Sequence, residues 1–118
     1  MIVLICGSRN WANKDLIKQE ILGLEGVTKI IHGACRGADY LAGEVASELG
    51  LVVVEYPADW NSYGLSAGPR RNQQMLDEGK PDLVLAFTND FANSKGTKDM
   101  VNRAKKQGVT VKIIKEES

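Results

Sequence analysis

The segment Ile2–Arg9, with the sequence IVLICGSR, contains five consecutive apolar residues followed by a glycine, a serine and an arginine. A continuous apolar run before a sharp turn is typical of a strand that is buried on both faces, as in a parallel sheet. Periodicity and turn signals predict four more strands, at residues 29–31, 51–56, 82–87 and 109–114. Helices are predicted between the strands, at residues 14–24, 38–49, 69–79 and 97–106.

Strict alternation of five strands with four helices predicts an α/β fold with a doubly wound parallel sheet, helices on both faces and strand order 3-2-1-4-5. In this topology ligands bind beyond the carboxyl ends of the strands, at the switch point between strands one and four. The loops predicted at that edge are Gly7–Arg9, His32–Asp39, Asp59–Arg71 and Thr88–Thr97.

Length and composition are those of one globular domain, residues 1–118, with 15 basic and 15 acidic side chains. Because the net charge is zero, no long-range electrostatic field attracts nucleic acid or an anionic membrane. Any anion-binding site must therefore be local. No run has the length of a membrane span or the pattern of a signal peptide, so we expect a cytoplasmic protein. Two cysteines and one histidine, without metal-type spacing, predict free thiols and no metal site.

The segment Ala67–Met75, with the sequence AGPRRNQQM, carries two arginines directly after a Gly-Pro pair. Pro69 precedes an unbroken run of helix formers, so we expect it at the first position of a helix that ends at Gly79. Arg70 and Arg71 then lie in a first turn, where the helix dipole disfavours each exposed cation by about 0.3–1 kcal/mol. An anion bound nearby would offset this cost.

Four of the five arginines lie in the predicted edge loops or just inside a helix that follows one: Arg9, Arg36, Arg70 and Arg71. Guanidinium offers a fixed fork for phosphate or carboxylate, so the clustering favours an anion pocket. The alternative is a surface ion pair of Arg70 or Arg71 with Asp77 or Asp59. Because consecutive helical residues are about 100° apart, we expect only one of the two arginines to face a ligand.

The loop from His32 to Asp39 contains Gly33 and Gly37, which would let a phosphate approach the backbone closely. A tight turn without a ligand explains the same glycines. His32 is either a phosphate donor or a structural hydrogen-bonding residue. Asp39 is either a helix cap, the interpretation that we prefer, or an acceptor for a ribose hydroxyl.

Gly96 and Thr97 open the last predicted helix, with Thr97 as its cap and Asp99 in its first turn. The helix dipole accounts for Asp99 at least as well as catalysis does. Trp60 and Tyr63, in the longest connection, are the better candidates for stacking on a base. Trp11 could also stack on a base, although packing in the core or in a lid is the default for each of these three aromatic residues. Cys6 and Cys35 are interpreted as packing residues rather than nucleophiles.

These motifs together resemble the SLOG superfamily, which includes DNA-processing protein A and the lonely-guy phosphoribohydrolases, and are most similar to its small single-domain bacterial and phage branch. The resemblance implies a Rossmann-like fold, dimerisation and binding of nucleotides or nucleotide-derived ligands at the edge loops. It extends over nearly the whole chain through Gly7–Trp11, His32–Asp39, Ala58–Trp60, Ala67–Asn72 and Gly96–Met100.

The phosphoribohydrolase branch uses an arginine in an Arg-x-x-x-Met helix and a carboxylate after a glycine-rich loop. Arg71 with Met75 matches the first pattern. The segment Phe91–Thr97 departs from the second, because Asn93 and Ser94 stand where glycines would be, and Asp99 replaces a longer Glu. The resemblance thus implies Arg71 and Asp99 as candidate catalytic residues, and the departures bear on hydrolysis rather than on binding.

The leading hypothesis is a nucleotide-binding module that needs no cofactor and forms a homodimer or higher homo-oligomer. The enzymatic alternative is N-glycosidic hydrolysis of a nucleoside 5'-monophosphate, and the third is binding of single-stranded nucleic acid, which the balanced charge disfavours. The candidate ligand-binding residues are Gly7, Ser8, Arg9, His32, Gly33, Arg36, Gly37, Asp39, Trp60, Arg70, Arg71, Asn72, Gly96 and Thr97.

Overall fold

The computed structural model describes residues 1–116 and contains one five-stranded sheet in which every neighbouring pair is parallel. The strand order is β3-β2-β1-β4-β5, which confirms the predicted topology. The strands are β1 (Ile2–Gly7), β2 (Lys29–His32), β3 (Val52–Glu55), β4 (Leu83–Phe87) and β5 (Thr110–Ile114).

The four predicted helices are present, and the longest connection contains an additional short one. The helices are α1 (Lys14–Leu22), α2 (Ala38–Glu48), α3 (Trp60–Tyr63), α4 (Ala67–Gly79) and α5 (Lys95–Lys106). None of the helices in the described part of the chain combines the length and the hydropathy that crossing a membrane requires.

The central strand β1 is covered on both faces, as its unbroken apolar sequence predicts. Val3 and Ile5 pack in a cluster with side chains of α1 and α2. Leu4 and Cys6 belong to the opposite cluster, with Met75 from α4 and further side chains from α5. Since successive strand residues point to opposite faces, the two layers of helices bury alternate residues of the same strand.

Two helix starts differ from the sequence-based prediction. Pro69 is the third residue of α4, not the first, because the helix begins at Ala67. A proline is tolerated there since the first-turn N–H groups have no partner within the helix. Thr97 is likewise the third residue of α5 and is 5% exposed, so it is a buried side chain and not the cap.

Candidate functional site

A cleft of about 880 Å³ lies where the loops after β1, β2, β3 and β4 meet the first turns of α4 and α5. This is the carboxyl edge of the sheet, at which ligands of doubly wound proteins bind. Most of the candidate residues line it: Gly7, Ser8, Arg9, Arg36, Asp39, Trp60, Arg71, Asn72, Gly96, Thr97 and Asp99. Their role in binding stays a prediction. His32, Gly33, Gly37 and Arg70 are not among the lining residues.

Arg71 is a buried arginine, only 9% exposed, at the wall of the cleft. Its Nη1 donates to the carbonyl oxygens of Gly33 and, at 3.4 Å, of Tyr56. Nε donates to Asn72 Oδ1 at 3.0 Å. Both terminal nitrogens lie 3.8 Å from the Cys35 sulfur. The guanidinium is thus held by neutral groups, in a fixed orientation.

Arg70 is exposed and turned away from the cleft. Its guanidinium carbon lies 4.4 Å from the centre of the Tyr63 ring, and Nε donates to Ser66 Oγ at 3.2 Å. The two consecutive arginines therefore have different surroundings, as their angular separation on the helix predicts. Neither forms an ion pair with Asp59 or Asp77.

The connection before α4 supplies an apolar lip to the cleft. Trp60, 47% exposed, lines the cleft and packs against the start of α4, where a Cβ at Gly68 would lie 3.2 Å from the indole ring. Leu65 also lines the cleft and is 94% exposed. Tyr63 is half exposed but does not line it. Trp11, by contrast, is buried against Phe87 in the core.

Asn72 connects Arg71 to the carboxylate of Asp99. Its side-chain amide donates to Asp99 Oδ2 at 2.9 Å, while its oxygen accepts from Arg71. The same Asp99 oxygen accepts from Arg103 Nε at 2.8 Å, one helical turn further along α5. The two candidate catalytic residues therefore lie in one hydrogen-bonded network that joins α4 to α5.

Asp39 organises the loop between β2 and α2. Its Oδ2 accepts from the backbone N–H groups of Gly33 at 2.9 Å and Cys35 at 3.3 Å. Asp39 is not the cap of α2, because the N-cap residue is Gly37. Burial raises the pKa of Asp39 to about 6, against the lowering effects of the Cys35 N–H and of Arg71.

Three glycines allow the loops to approach each other. A Cβ at Gly7 would overlap the carbonyl oxygen of Phe87, and one at Gly37, where φ is +83°, would overlap the backbone of Ser8 and Arg9. A Cβ at Gly33 would lie 2.7 Å from Cζ of Arg71. Gly33 and Gly37 thus shape the site without lining it.

A cluster of three hydroxyl groups was not anticipated from the sequence. Ser8 Oγ donates to Thr88 Oγ1 at 2.6 Å, and Ser94 Oγ lies 2.7 Å from the same threonine oxygen. Ser94 also donates to the Asp90 carbonyl oxygen at 2.7 Å. The cluster joins the loops after β1 and β4, and Ser8 and Ser94 line the cleft. The sequence pattern that could have predicted this cluster is a hydroxyl residue directly after each of two neighbouring strands, Ser8 after β1 and Thr88 after β4.

His32 lies away from the cleft. Its ring is fully buried and lines a separate groove beside α2 and β3. Its neighbours Ile30 and Ile31 belong to the clusters on opposite faces of the sheet. Because successive side chains of a strand point to opposite faces of the sheet, His32 lies on the same face as Ile30. Ile31 and α4 lie on the other face. That alternation was readable in the sequence.

Both cysteines are free thiols that line the cleft. Burial raises the pKa of the Cys6 thiol far above its usual range. Cys35 is partly exposed beside Arg71. Within residues 1–116, no group of three His, Cys, Asp or Glu side chains is arranged to hold a metal ion.

The parallel sheet and the cleft at its carboxyl edge define a Rossmann-like α/β protein, as the sequence predicts. The chain belongs to the YAcAr family, described as the YspA, cpYpsA-related SLOG family, whose family model matches residues 1–63. It is 34% identical over 118 residues to the Gene 61 protein of Mycobacterium phage D29, with 92% of each chain covered.

Among solved structures, the chain is similar to the X-ray structure of DNA processing protein A (DprA) from Streptococcus pneumoniae, with a TM-score of 0.77. The alignment covers 98% of this chain at 19% identity. It spans half of the DprA chain. At this identity the likeness shows a shared fold.

Proposed function

We propose that this protein binds a nucleotide or a nucleotide-derived ligand, of the nucleoside phosphate or ADP-ribose type, in the cleft. The observation that carries the proposal is the buried charge of Arg71. Within residues 1–116, no carboxylate lies within 4.0 Å of its guanidinium. A buried ion without a counter-ion costs several kcal/mol, and an anion bound in the cleft would offset part of that cost.

Other groups around the cleft support an anionic ligand. The first turns of α4 and α5 line it, and a helix N-terminus presents unpaired N–H groups and a partial positive charge. Arg9 and Arg36 are exposed at the rim, where their side chains are free to adapt. In total, four cationic and three carboxylate side chains line the cleft. The local balance therefore favours an anion although the net charge of the chain is zero.

The apolar lip favours a ligand that carries a base. Trp60 and Leu65 offer an indole ring and a fully exposed aliphatic side chain on the same side of the cleft. An aromatic ring next to an anion site suits a nucleobase joined to a phosphate. Membership of the SLOG family supports a role related to nucleotides or nucleic acids.

The test is a thermal-shift and calorimetric titration with AMP, ADP-ribose and cyclic nucleotides. Binding to the folded state alone raises the unfolding midpoint. Arg36→Ala and Arg70→Ala form a matched pair, because both arginines are exposed but only Arg36 lines the cleft. We expect Arg36→Ala to weaken binding several-fold and Arg70→Ala to leave it unchanged. Absence of binding by all these nucleotides contradicts the proposal.

A second candidate function is N-glycosidic hydrolysis of a nucleoside 5'-monophosphate. It is supported by the hydrogen-bonded connection from Arg71 through Asn72 to Asp99, all of which line the cleft. Arg71 would hold the ribose phosphate, and Asp99 would orient water or stabilise a cationic sugar. Chromatography would then show released base with the wild type and none with Asp99→Asn. Equal release by both proteins excludes this mechanism.

Single-stranded nucleic acid is the third candidate ligand, and the name of the DprA protein supports it. Affinity that falls steeply with salt in a gel shift with an oligonucleotide would favour it over a free nucleotide.

We further propose that residues 1–118 are one nucleotide-binding domain, active in the cytoplasm as a homodimer or higher homo-oligomer without a cofactor. Light scattering on the full chain measures the oligomeric state.

A further inference from the structure

A groove on the other side of α2 contains a buried polar group without a partner. The groove has a volume of about 760 Å³ and lies between α2, β3 and the start of α1. The ring of His32 forms its floor. Within residues 1–116, His32 Nε2 is buried and has no hydrogen-bond partner. Such atoms are rare in folded proteins and carry a cost that a bound acceptor would remove.

The hydrogen bonds of His32 determine what the free nitrogen can bind. The backbone N–H of Ala34 donates to Nδ1 at 3.0 Å, so Nδ1 carries the lone pair and Nε2 carries the proton. Burial lowers the pKa of His32, against the raising effect of Glu55, so the ring is neutral near pH 7. A metal ion needs a lone pair, which Nε2 lacks in this tautomer. The groove therefore offers a donor at its floor.

Gly43 lies directly beside this donor. It lies in the interior of α2, where glycine is a poor helix former, and it lines the groove. A Cβ at Gly43 would lie 2.9 Å from Nε2. An alanine, the better helix former, would therefore cover the imidazole N–H. The glycine leaves Nε2 without a covering methyl group, although the atom itself is buried in this structure.

The walls of the groove supply acceptors and an aromatic ring. Glu55 Oε1 lies 3.7 Å from His32 Nε2, too far for a hydrogen bond but close enough for one atom to bridge the two. Glu44 and Glu48 also line the groove, and both contact Lys14 Nζ. Three carboxylates against one ammonium disfavour an anionic ligand. Tyr40 adds a half-exposed ring to the wall.

A hydroxyl group satisfies this arrangement, because its oxygen accepts from Nε2–H while its proton is donated to Glu55. We propose that the groove formed by His32, Tyr40, Gly43 and Glu55 is a second binding site, which takes a neutral polyhydroxyl ligand such as a sugar. The ring of Tyr40 would contact the apolar face of the sugar, as aromatic rings do in binding sites for amphipathic ligands. This site is separate from the nucleotide cleft.

The chain contains one histidine, so the imidazole signals in a nitrogen-15 NMR spectrum are unambiguous. The experiment titrates the full chain with ribose, glucose and, as a control without hydroxyl groups, acetamide. We expect ribose or glucose to shift the Nε2 and Hε2 signals saturably, with a much smaller effect on Nδ1. No response to either sugar, or a response to acetamide alone, overturns the proposal. If the groove binds only water, neither sugar will shift the histidine signals.

Gly43→Ala should abolish the sugar-dependent shift, because its methyl group covers Nε2. Gly23→Ala is the matched control, since Gly23 is remote from the groove and its Cβ would have no contact closer than 3.4 Å. Glu55→Ala provides a second variant at an exposed position and should weaken the response several-fold. An unchanged response in the Glu55 variant overturns the proposal even if the Gly43 variant does not fold. Failure of nucleotide binding leaves these measurements unaffected.

Discussion

The guanidinium of Arg71 lies directly over the backbone of Gly33 and donates to its carbonyl oxygen, although the two residues are 38 positions apart in the chain. Gly33 also donates its N–H to Asp39. Gly33, in the β2–α2 loop, therefore accepts a hydrogen bond from Arg71 of α4 and leaves room for its guanidinium. Two walls of the cleft are joined at this contact.

Gly33→Ala tests this relationship. A methyl group there would lie 2.7 Å from Cζ of Arg71 and must displace the guanidinium. Since overpacking of a filled site costs about 1–3 kcal/mol, we expect the free energy of unfolding to fall by that amount in urea denaturation. We also expect the thermal shift caused by AMP to disappear.

Gly23→Ala is the control for this variant. Gly23 has a φ of −74°, which alanine adopts without strain, so the free energy of unfolding should change by about 0.5 kcal/mol or less. If Gly33→Ala were as stable as this control and bound AMP normally, the contact with Arg71 would have no role in the site.

Asp39 should make the stability of the fold depend on pH between about 4 and 6. Burial raises its pKa from 3.8 to about 6 in the folded state, so the folded chain binds a proton in this window that the unfolded chain does not. Asp39 therefore raises the free energy of unfolding as the pH falls from 6 towards 4, by about 3 kcal/mol in total. This contribution is lost as the pH rises through 6.

Urea denaturation of the wild type and of Asp39→Asn at several pH values measures this contribution. Asparagine keeps an oxygen that accepts from Gly33 and Cys35, but it does not titrate. The contributions of His32 and of other carboxylates are common to both proteins and cancel in the difference. Parallel pH profiles for the two proteins would mean that Asp39 keeps an ordinary pKa.

Thr88→Val removes the central hydroxyl of the Ser8–Thr88–Ser94 cluster. Thr88 is 2% exposed, and its oxygen accepts from Ser8 and from the backbone N–H of Asp90. Because valine leaves the Asp90 N–H without this acceptor and leaves Ser8 Oγ only a 3.4 Å contact with Ser94 Oγ, we expect a loss of about 1–3 kcal/mol in the free energy of unfolding. Thr110→Val, on the exposed edge of the sheet, is the control and should be near neutral. Equal stability of the two variants would show that the cluster contributes nothing.

The two thiols should differ in their reaction with iodoacetamide. Cys35 is partly exposed in the cleft, whereas Cys6 is buried and its pKa is raised, which lowers the fraction of reactive thiolate. Mass spectrometry of the native protein should therefore find one label, on Cys35. The label would lie beside Arg71 and should prevent nucleotide binding.

Cys35→Ser separates these effects, because it should remain unlabelled in the native state and still bind AMP. Labelling of Cys6 in the folded protein at a rate similar to that of Cys35 would contradict this assignment of exposure.

The topology of the sheet was predictable because it depends on alternation and on one unbroken apolar strand, both of which are local patterns. The loops that form the cleft followed from the topology. The different orientations of Arg70 and Arg71 followed from the angle of about 100° between consecutive helical residues. Helix starts were less accurate, because Ala67 and Lys95 begin helices before the residues with the strongest local signals, Pro69 and Thr97.

Contacts between distant segments were not predictable from local patterns. That Gly33 supports Arg71 instead of facing the cleft depends on the approach of α4 to the β2–α2 loop. The hydroxyl cluster likewise needs Thr88 and Ser8 to meet across β1 and β4. The short helix α3 is four residues long, too short for a helical period to be recognised.

The apolar lip of the cleft, residues 60–65, stands apart from the framework that holds Arg71. Leu65 is 94% exposed, and neither Trp60 nor Leu65 belongs to a core cluster. Substitutions here should cost little folding stability, and in the proposed nucleotide site they would change the surface that faces the base. If the proposed function holds, this short segment is where ligand preference could change while the framework around Arg71 stays the same.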